Sequence, residues 1–223
     1  MTAFFITATG TDVGKTFVTA GLIRHLRAHG RSLAVLKPIA SGFDPNNWAS
    51  SDAGVLLKEL DLALSAENMD RICPWRFSAP LSPNMAAARE SRKVDFEGVV
   101  KACADIAAQG AQTTLVEGAG GVMTPIEGTR TMVDLAERLG WPVVLIAGSY
   151  LGTLSHTLTA REVLMARGLK IAGLVVSETP GSTVDLAETA AELARFAAPT
   201  PVIMLPRLAN PGAIAALADL IGA

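Results

Sequence analysis

Gly14, Lys15 and Thr16 stand together, and Gly-Lys-Thr is how a phosphate-binding loop ends. In such a loop backbone N–H groups wrap the phosphates. The lysine reaches the β/γ-phosphates, and the hydroxyl serves Mg²⁺. Regular spacing asks for glycine at position 9; this chain has Thr9, with Gly10 one place later. The context supports the loop all the same, because the apolar run 3–8 leads into it and a helical pattern begins at 15. The dinucleotide pattern Gly-x-Gly-x-x-Gly is not present. A second group ends another apolar run, where Leu115-Val116-Glu117 passes into Gly118-Ala119-Gly120-Gly121. An acid at the carboxyl end of a buried parallel strand lies at the ligand edge of the sheet. In a P-loop protein it serves Mg²⁺, directly or through water. Lys37 ends a third run, ahead of Pro38-Ile39-Ala40-Ser41-Gly42, and faces the same edge. Asp52, after Ser50-Ser51, reads as a helix N-terminal carboxylate.

Positioning these residues requires strands that alternate with helices. The expected strands are 3–8, 33–37, 113–117, 142–147, 171–176 and 202–205. Most are continuously apolar, as strands covered on both faces are. Helices are expected over 15–29, 82–91, 95–109, 131–139, 153–167, 182–197 and 211–222. Ser82-Pro83 supplies an N-cap and an N1 proline, Thr131 and Asp134 a capping-box-like start, and Ser182 with Asp185 another opening. Leu186, Ala190, Leu193, Ala194 and Ala197 would share one helix face. This order implies an α/β, doubly wound, P-loop NTPase-like fold, a mostly parallel sheet with helices on both faces. Residues 1–223 read as one domain. The stretch 38–81, interrupted by Pro38, Pro45, Pro74 and Pro80, is the least regular and therefore a candidate functional segment.

Composition narrows the class of function. Half of the 223 residues are apolar and 18% are charged, which excludes a disordered chain. The net charge is −2 with no run of Lys or Arg, so the electrostatic footprint of nucleic-acid binding is missing. Cys73 and Cys103 form no disulfide framework and read as buried, reduced thiols. The first residues lack a basic region, and no apolar window approaches the ~20 residues that span a bilayer. The expectation is a cytoplasmic globular protein.

Taken together, these motifs resemble the dethiobiotin synthetase family, the ATP-dependent ligases of biotin biosynthesis. The matching stretches include Phe5-Ile6-Thr7, Thr9, Thr11, Val13-Gly14-Lys15-Thr16, Lys37-Pro38-Ile39-Ala40-Ser41-Gly42 and Ser51-Asp52-Ala53. Ser82-Pro83, Val116 through Gly121, Thr124-Pro125, Leu151-Gly152 with His156, Ala172-Gly173, and Pro206 with Leu208 extend the match along the chain. The Lys-Pro-x-Ala-Ser-Gly stretch is the more specific signal, since the loop and Glu-Gly-Ala-Gly-Gly are shared with wider amidoligase relatives.

The resemblance implies closure of a cyclic urea on 7,8-diaminononanoate with CO₂ and ATP, through a carbamate and a carbamic–phosphoric anhydride. Lys15, Lys37 and Thr11 would be catalytic. Thr16, Asp52 and Glu117 would hold Mg²⁺. Asp12, Val13, Gly14, Phe17, Gly118, Ala119 and Gly120 would join them around the nucleotide. Ser177-Glu178 stand where the family reads adenine with Asn-Asp, beside Pro206, Arg207 and Leu208. Thr11, Lys37, Ser41 and Gly118 would hold the diamine and carbamate. The substrate carboxylate would meet a helix N-terminus of a second subunit, here Gly152-Thr153-Leu154-Ser155, which implies a homodimer with shared active sites. Two rivals fit less well. A cobyrinate-type amidotransferase usually carries a glutaminase domain, for which 223 residues leave no room. A partition- or Min-type switch ATPase places a signature lysine where this chain has Gly10.

Overall fold

The computed structural model describes residues 2–207 and 211–222. The first half contains β1 (Thr2–Ala8), α1 (Lys15–Ala28), β2 (Leu33–Leu36), β3 (Ile39–Ser41), α2 (Asp52–Glu59), α3 (Ala66–Ile72), β4 (Trp75–Phe77), α4 (Pro83–Arg89) and α5 (Phe96–Ala107). The second half contains β5 (Thr113–Glu117), β6 (Pro125–Glu127), β7 (Arg130–Thr131), α6 (Met132–Leu139), β8 (Val143–Gly148), α7 (Thr153–Ala166), β9 (Ile171–Ser177), α8 (Leu186–Ala197), β10 (Val202–Leu205) and α9 (Pro211–Leu220).

Six strands form one sheet in the order β10-β9-β8-β1-β5-β2, and every pairing in it is parallel. Successive side chains of a strand point to opposite faces, and here both faces are buried. On β8, Val143, Leu145 and Ala147 enter one core, while Val144 and Ile146 enter the other. On β1, Phe5 joins the first core, while Phe4, Ile6 and Ala8 join the second. The first core is closed by residues of α4 to α8, the second by residues of α1, α2, α3 and α9. The continuous apolar runs therefore mark doubly covered parallel strands, as expected. Cys73 and Cys103 are free and buried, one in each core.

Register decides which residues meet at the carboxyl edge. Leu36 pairs with Val116 on β5, so Lys37 and Glu117 leave the sheet side by side. Ile6 of β1 pairs with Glu117, which sets the loop after β1 next to the same edge. Strand β2 stops at Leu36 rather than at 37, and the Lys37 N–H turns to the Ile72 carbonyl at 2.9 Å.

Three expectations need correction. The stretch 38–81 is largely ordered into β3, α2, α3 and β4, with β3 and β4 forming a separate parallel pair. Its prolines sit between these short elements and not inside them. Helix α8 starts at Leu186, because the Asp185 carboxylate caps the Glu188 N–H at 2.8 Å, while Ser182 accepts from Val184 in the preceding turn. Ala194 lies on the exposed side of α8, whereas Leu193 and Ala197 are buried. The start of α6 is as expected: Thr131 N–H and hydroxyl both donate to Asp134 Oδ2, at 2.6 and 2.8 Å.

Candidate active site

The loop after β1 turns into α1 at Gly14, whose φ is +102°. L side chains rarely adopt that conformation. A Cβ there would also lie 2.7 Å from Ser177 Oγ, so both backbone and space require glycine. No acidic residue occupies the first turn of α1 and no side chain caps it, so its leading N–H groups are free for an anion. Lys15 Nζ donates to the Gly10 carbonyl at 3.0 Å, curling back over the loop. Burial pulls the Lys15 ammonium down to about 8, and nearby Lys37 pushes in the same direction.

Glu117 is fully buried at the end of β5. Its Oε1 accepts from Lys37 Nζ at 2.7 Å and from Thr16 Oγ1 at 2.8 Å. Its Oε2 is buried and has no hydrogen-bond partner among the described residues. Lys37 Nζ also lies 2.9 Å from Asp52 Oδ2. Asp52 opens α2, a helix set in place by the Ser51 hydroxyl, which accepts from the Gly54 N–H at 3.1 Å. Burial alone would strip the charge from Lys37, but Glu117 and Asp52 override it and hold its pKa above the ordinary lysine value. Burial would raise Asp52, yet the Lys37 ammonium holds it below the usual carboxylate range. Two cations and two carboxylates thus share a corner beside the loop in which only Asp52 reaches solvent freely, and its charge is balanced within the site.

A divalent cation fits this donor set. Mg²⁺ prefers oxygen and is held by one or two carboxylates together with phosphates and water. A free carboxylate oxygen on Glu117, the Thr16 hydroxyl and the half-exposed Asp52 offer that arrangement. Among the described residues no group of three His, Cys, Asp or Glu offers an all-protein metal cage.

A cleft of about 970 Å³ opens over this corner. It gathers Thr11, Asp12, Gly14, Lys15, Thr16, Phe17, Lys37, Ser41, Asp52, Ala119, Gly120 and Arg207 from the expected set. Ser41 Oγ is buried there with no partner among the described residues. Other expected residues lie elsewhere. Val13 is buried in the second core. Gly118 is packed toward the first core, where a Cβ would meet Phe5 at 3.0 Å and Met132 at 3.2 Å. Ser177 lies under Gly14, and exposed Glu178 accepts the Arg207 N–H at 2.8 Å, tying the two segments after β9 and β10 together. Pro206 is half-buried just before Arg207, and Leu208 lies outside the described residues. Gly152 starts α7 in the left-handed conformation, and the buried Thr153 donates to the Gly148 carbonyl at 2.6 Å. Gly152, Leu154 and Ser155 are exposed, and none of the four lines the cleft of this chain. The cleft also uses Pro80, Leu81, Ser82 and Pro83 on one wall and Thr124-Pro125 and Pro180 on others. Ser82-Pro83 and Thr124-Pro125 were visible as motifs, but nothing in their local pattern marked them as cleft walls.

A family model described as an AAA domain matches residues 2–211. The chain is 47% identical over 202 residues to a protein of Acidiphilium cryptum named ATP-dependent dethiobiotin synthetase BioD, covering 90% of this chain and 91% of that one. It is 43% identical over 225 residues to a protein of the same name from Phenylobacterium zucineum, covering 100% and 96%. Among solved structures, a ParA-family ATPase from Chlorobium tepidum superposes with a TM-score of 0.54 at 11% identity, over 99% of this chain and 92% of that chain. The septum-site-determining protein MinD of Pyrococcus horikoshii gives 0.51 at 17% identity, over 99% and 94%. At those identities the two solved structures share the fold alone, whereas the sequence relatives match along nearly the whole chain. The P-loop, the Lys37–Glu117–Asp52 corner and these relatives agree: this chain belongs to the family of ATP-dependent dethiobiotin synthetases, enzymes of the cyclo-ligase type.

Proposed function

We propose that the protein closes a cyclic urea on 7,8-diaminononanoate, taking up CO₂ and spending one ATP, and that residues 1–223 act as one domain in the cytoplasm. What carries this reading is the Lys37 ammonium, held at 2.7 Å from Glu117 and 2.9 Å from Asp52 beside the P-loop. A fixed cation at that edge suits a reaction in which negative charge moves from carbamate to phosphoryl oxygens. One amine adds to CO₂ and releases a proton, forming a carbamate. A carbamate oxygen takes the γ-phosphoryl group of ATP and ADP leaves. The second amine attacks the carbonyl carbon, the C–O bond to phosphate breaks, and the ring closes with loss of a proton.

The chain's own groups have separable tasks. Lys15 and the free N–H groups at the start of α1 bind the β/γ-phosphates. Lys37 neutralises the carbamate and then the transferred phosphoryl group. Thr11 and Ser41 orient the diamine and carbamate by hydrogen bonds, and the free Ser41 Oγ is available for one. Thr16, Asp52 and Glu117 would hold Mg²⁺, which supplies charge neutralisation across the phosphates. Segments near Ser177, Glu178, Pro206, Arg207 and Leu208 receive the base. A second subunit brings the start of α7, where helix N–H groups meet the substrate carboxylate.

Oxygen transfer tests the carbamate route. With ¹⁸O-labelled CO₂, one labelled oxygen should pass into the released phosphate and one should remain in the urea. Phosphate free of label during diamine-dependent turnover would contradict phosphorylation of a carbamate.

A further inference from the structure

We infer that a second cavity, at the end of β2 away from the nucleotide cleft, binds an aliphatic carboxylate. This site does not depend on the proposed reaction. The cavity holds about 290 Å³ and shares no lining residue with the cleft. Leu33, Ala34 and Val35 of β2 line it, whereas Lys37 in the cleft follows the last residue of that strand.

Arg27, Arg31, Arg71, Asn68 and Gln109 supply its polar lining. Among the described residues the local acids leave two of these cations uncompensated. Glu59 is taken by Arg24 at 2.6 Å, and Asp61 lies 3.6 Å from Arg27. Among the described residues Arg71 Nη2 reaches only the neutral Gln109 Oε1, at 3.3 Å. Arg31 makes no side-chain hydrogen bond or ion pair among the described residues, and its Nε is buried. A buried donor on a charged group is costly to leave unmade, so an acceptor is expected there. Guanidinium forks match the flat, two-oxygen geometry of a carboxylate, and also that of a phosphate.

The apolar residues of the lining decide between them. Leu33, Val35, Leu57, Leu60, Ile72 and Ile106 also line the cavity. Inorganic phosphate cannot use that surface, whereas an alkyl stem behind a carboxylate buries against it. The volume lies at the small end for ligand pockets, too small for a nucleotide and suited to a short-chain acid.

Calorimetric titration of the full chain, with saturating ATP present to fill the P-loop, with octanoate and, separately, with inorganic phosphate tests the site. Saturable octanoate binding is expected, tighter than phosphate, and unchanged in Lys37→Gln. Arg31→Gln and Arg71→Gln should each weaken it roughly tenfold or more. Circular dichroism checks folding, and the exposed Arg71 on α3 serves as the second variant if Arg31→Gln does not fold. No saturable octanoate binding, phosphate binding as tight as octanoate, or affinity lost in Lys37→Gln but kept in both arginine variants would overturn the inference. Because the readout is heat of binding, its failure is separable from failure of the urea-forming reaction.

Discussion

Lys37 is nearly inaccessible to solvent, at 2% exposure, yet it keeps its proton because two carboxylates face it. The same pairing fixes its position, so the cation costs little reorganisation when substrate charge arrives. Glutamine at 37 retains a polar side chain but removes the charge, while Lys15 and the loop stay intact. Turnover of Lys37→Gln should fall roughly 10²–10³-fold, the size expected for losing one preorganised electrostatic group. Nucleotide affinity, measured by calorimetry, should stay within a few-fold. Activity within a few-fold of the parent would show that Lys37 has another role. Lys37 and Glu117 were both legible, since each ends an apolar run and adjacent parallel strands bring such ends together. The shared Glu117 Oε1 and the approach of Asp52 were not. Those contacts join side chains 80 and 15 positions from Lys37, and no local periodicity encodes them.

At the scale of elements, the β1–loop–α1 unit depends on one backbone conformation. Gly14→Ala would force a Cβ into the left-handed region and against Ser177 Oγ at 2.7 Å. Nucleotide binding should be lost, while circular dichroism stays near that of the parent. Ser177→Gly in the same chain should recover only part of the affinity, since it removes the contact but not the backbone strain. Full recovery would place the whole effect in the contact. The main strands could be read from continuous apolar runs, and their surrounding helices from helix-length segments ended by glycine stops. The three-residue strands β3 and β4 are too short to form such a run, and so are the strands of the β6–β7 hairpin. Helix α3 was hidden by the prolines around it, although Ser65 carries a capping hydroxyl, whereas the start of α2 was legible at Asp52.

Across the whole molecule, the start of α7 lies outside this chain's cleft and presents Leu151, at 91% exposure, with Leu154 beside it. An exposed apolar helix start suits an interface with a second copy. If sites are shared, a Lys37→Gln chain and a Ser155→Trp chain should each be inactive alone, because each spoils a different half of the site. Mixed after dissociation, they should regain about a quarter of the parent activity, since half of the dimers would then carry one intact site of two. No recovery on mixing would contradict shared sites. The α/β class and the phosphate edge were plain in the sequence, whereas the exposure of this helix start needed the packed molecule. The most direct test of the central claim is ADP release with Mg²⁺-ATP, bicarbonate and 7,8-diaminononanoate. The account predicts ADP and cyclic urea in equal amounts, with turnover requiring both the diamine and bicarbonate. ATP hydrolysis indifferent to the diamine, or no turnover when every component is present, would contradict it.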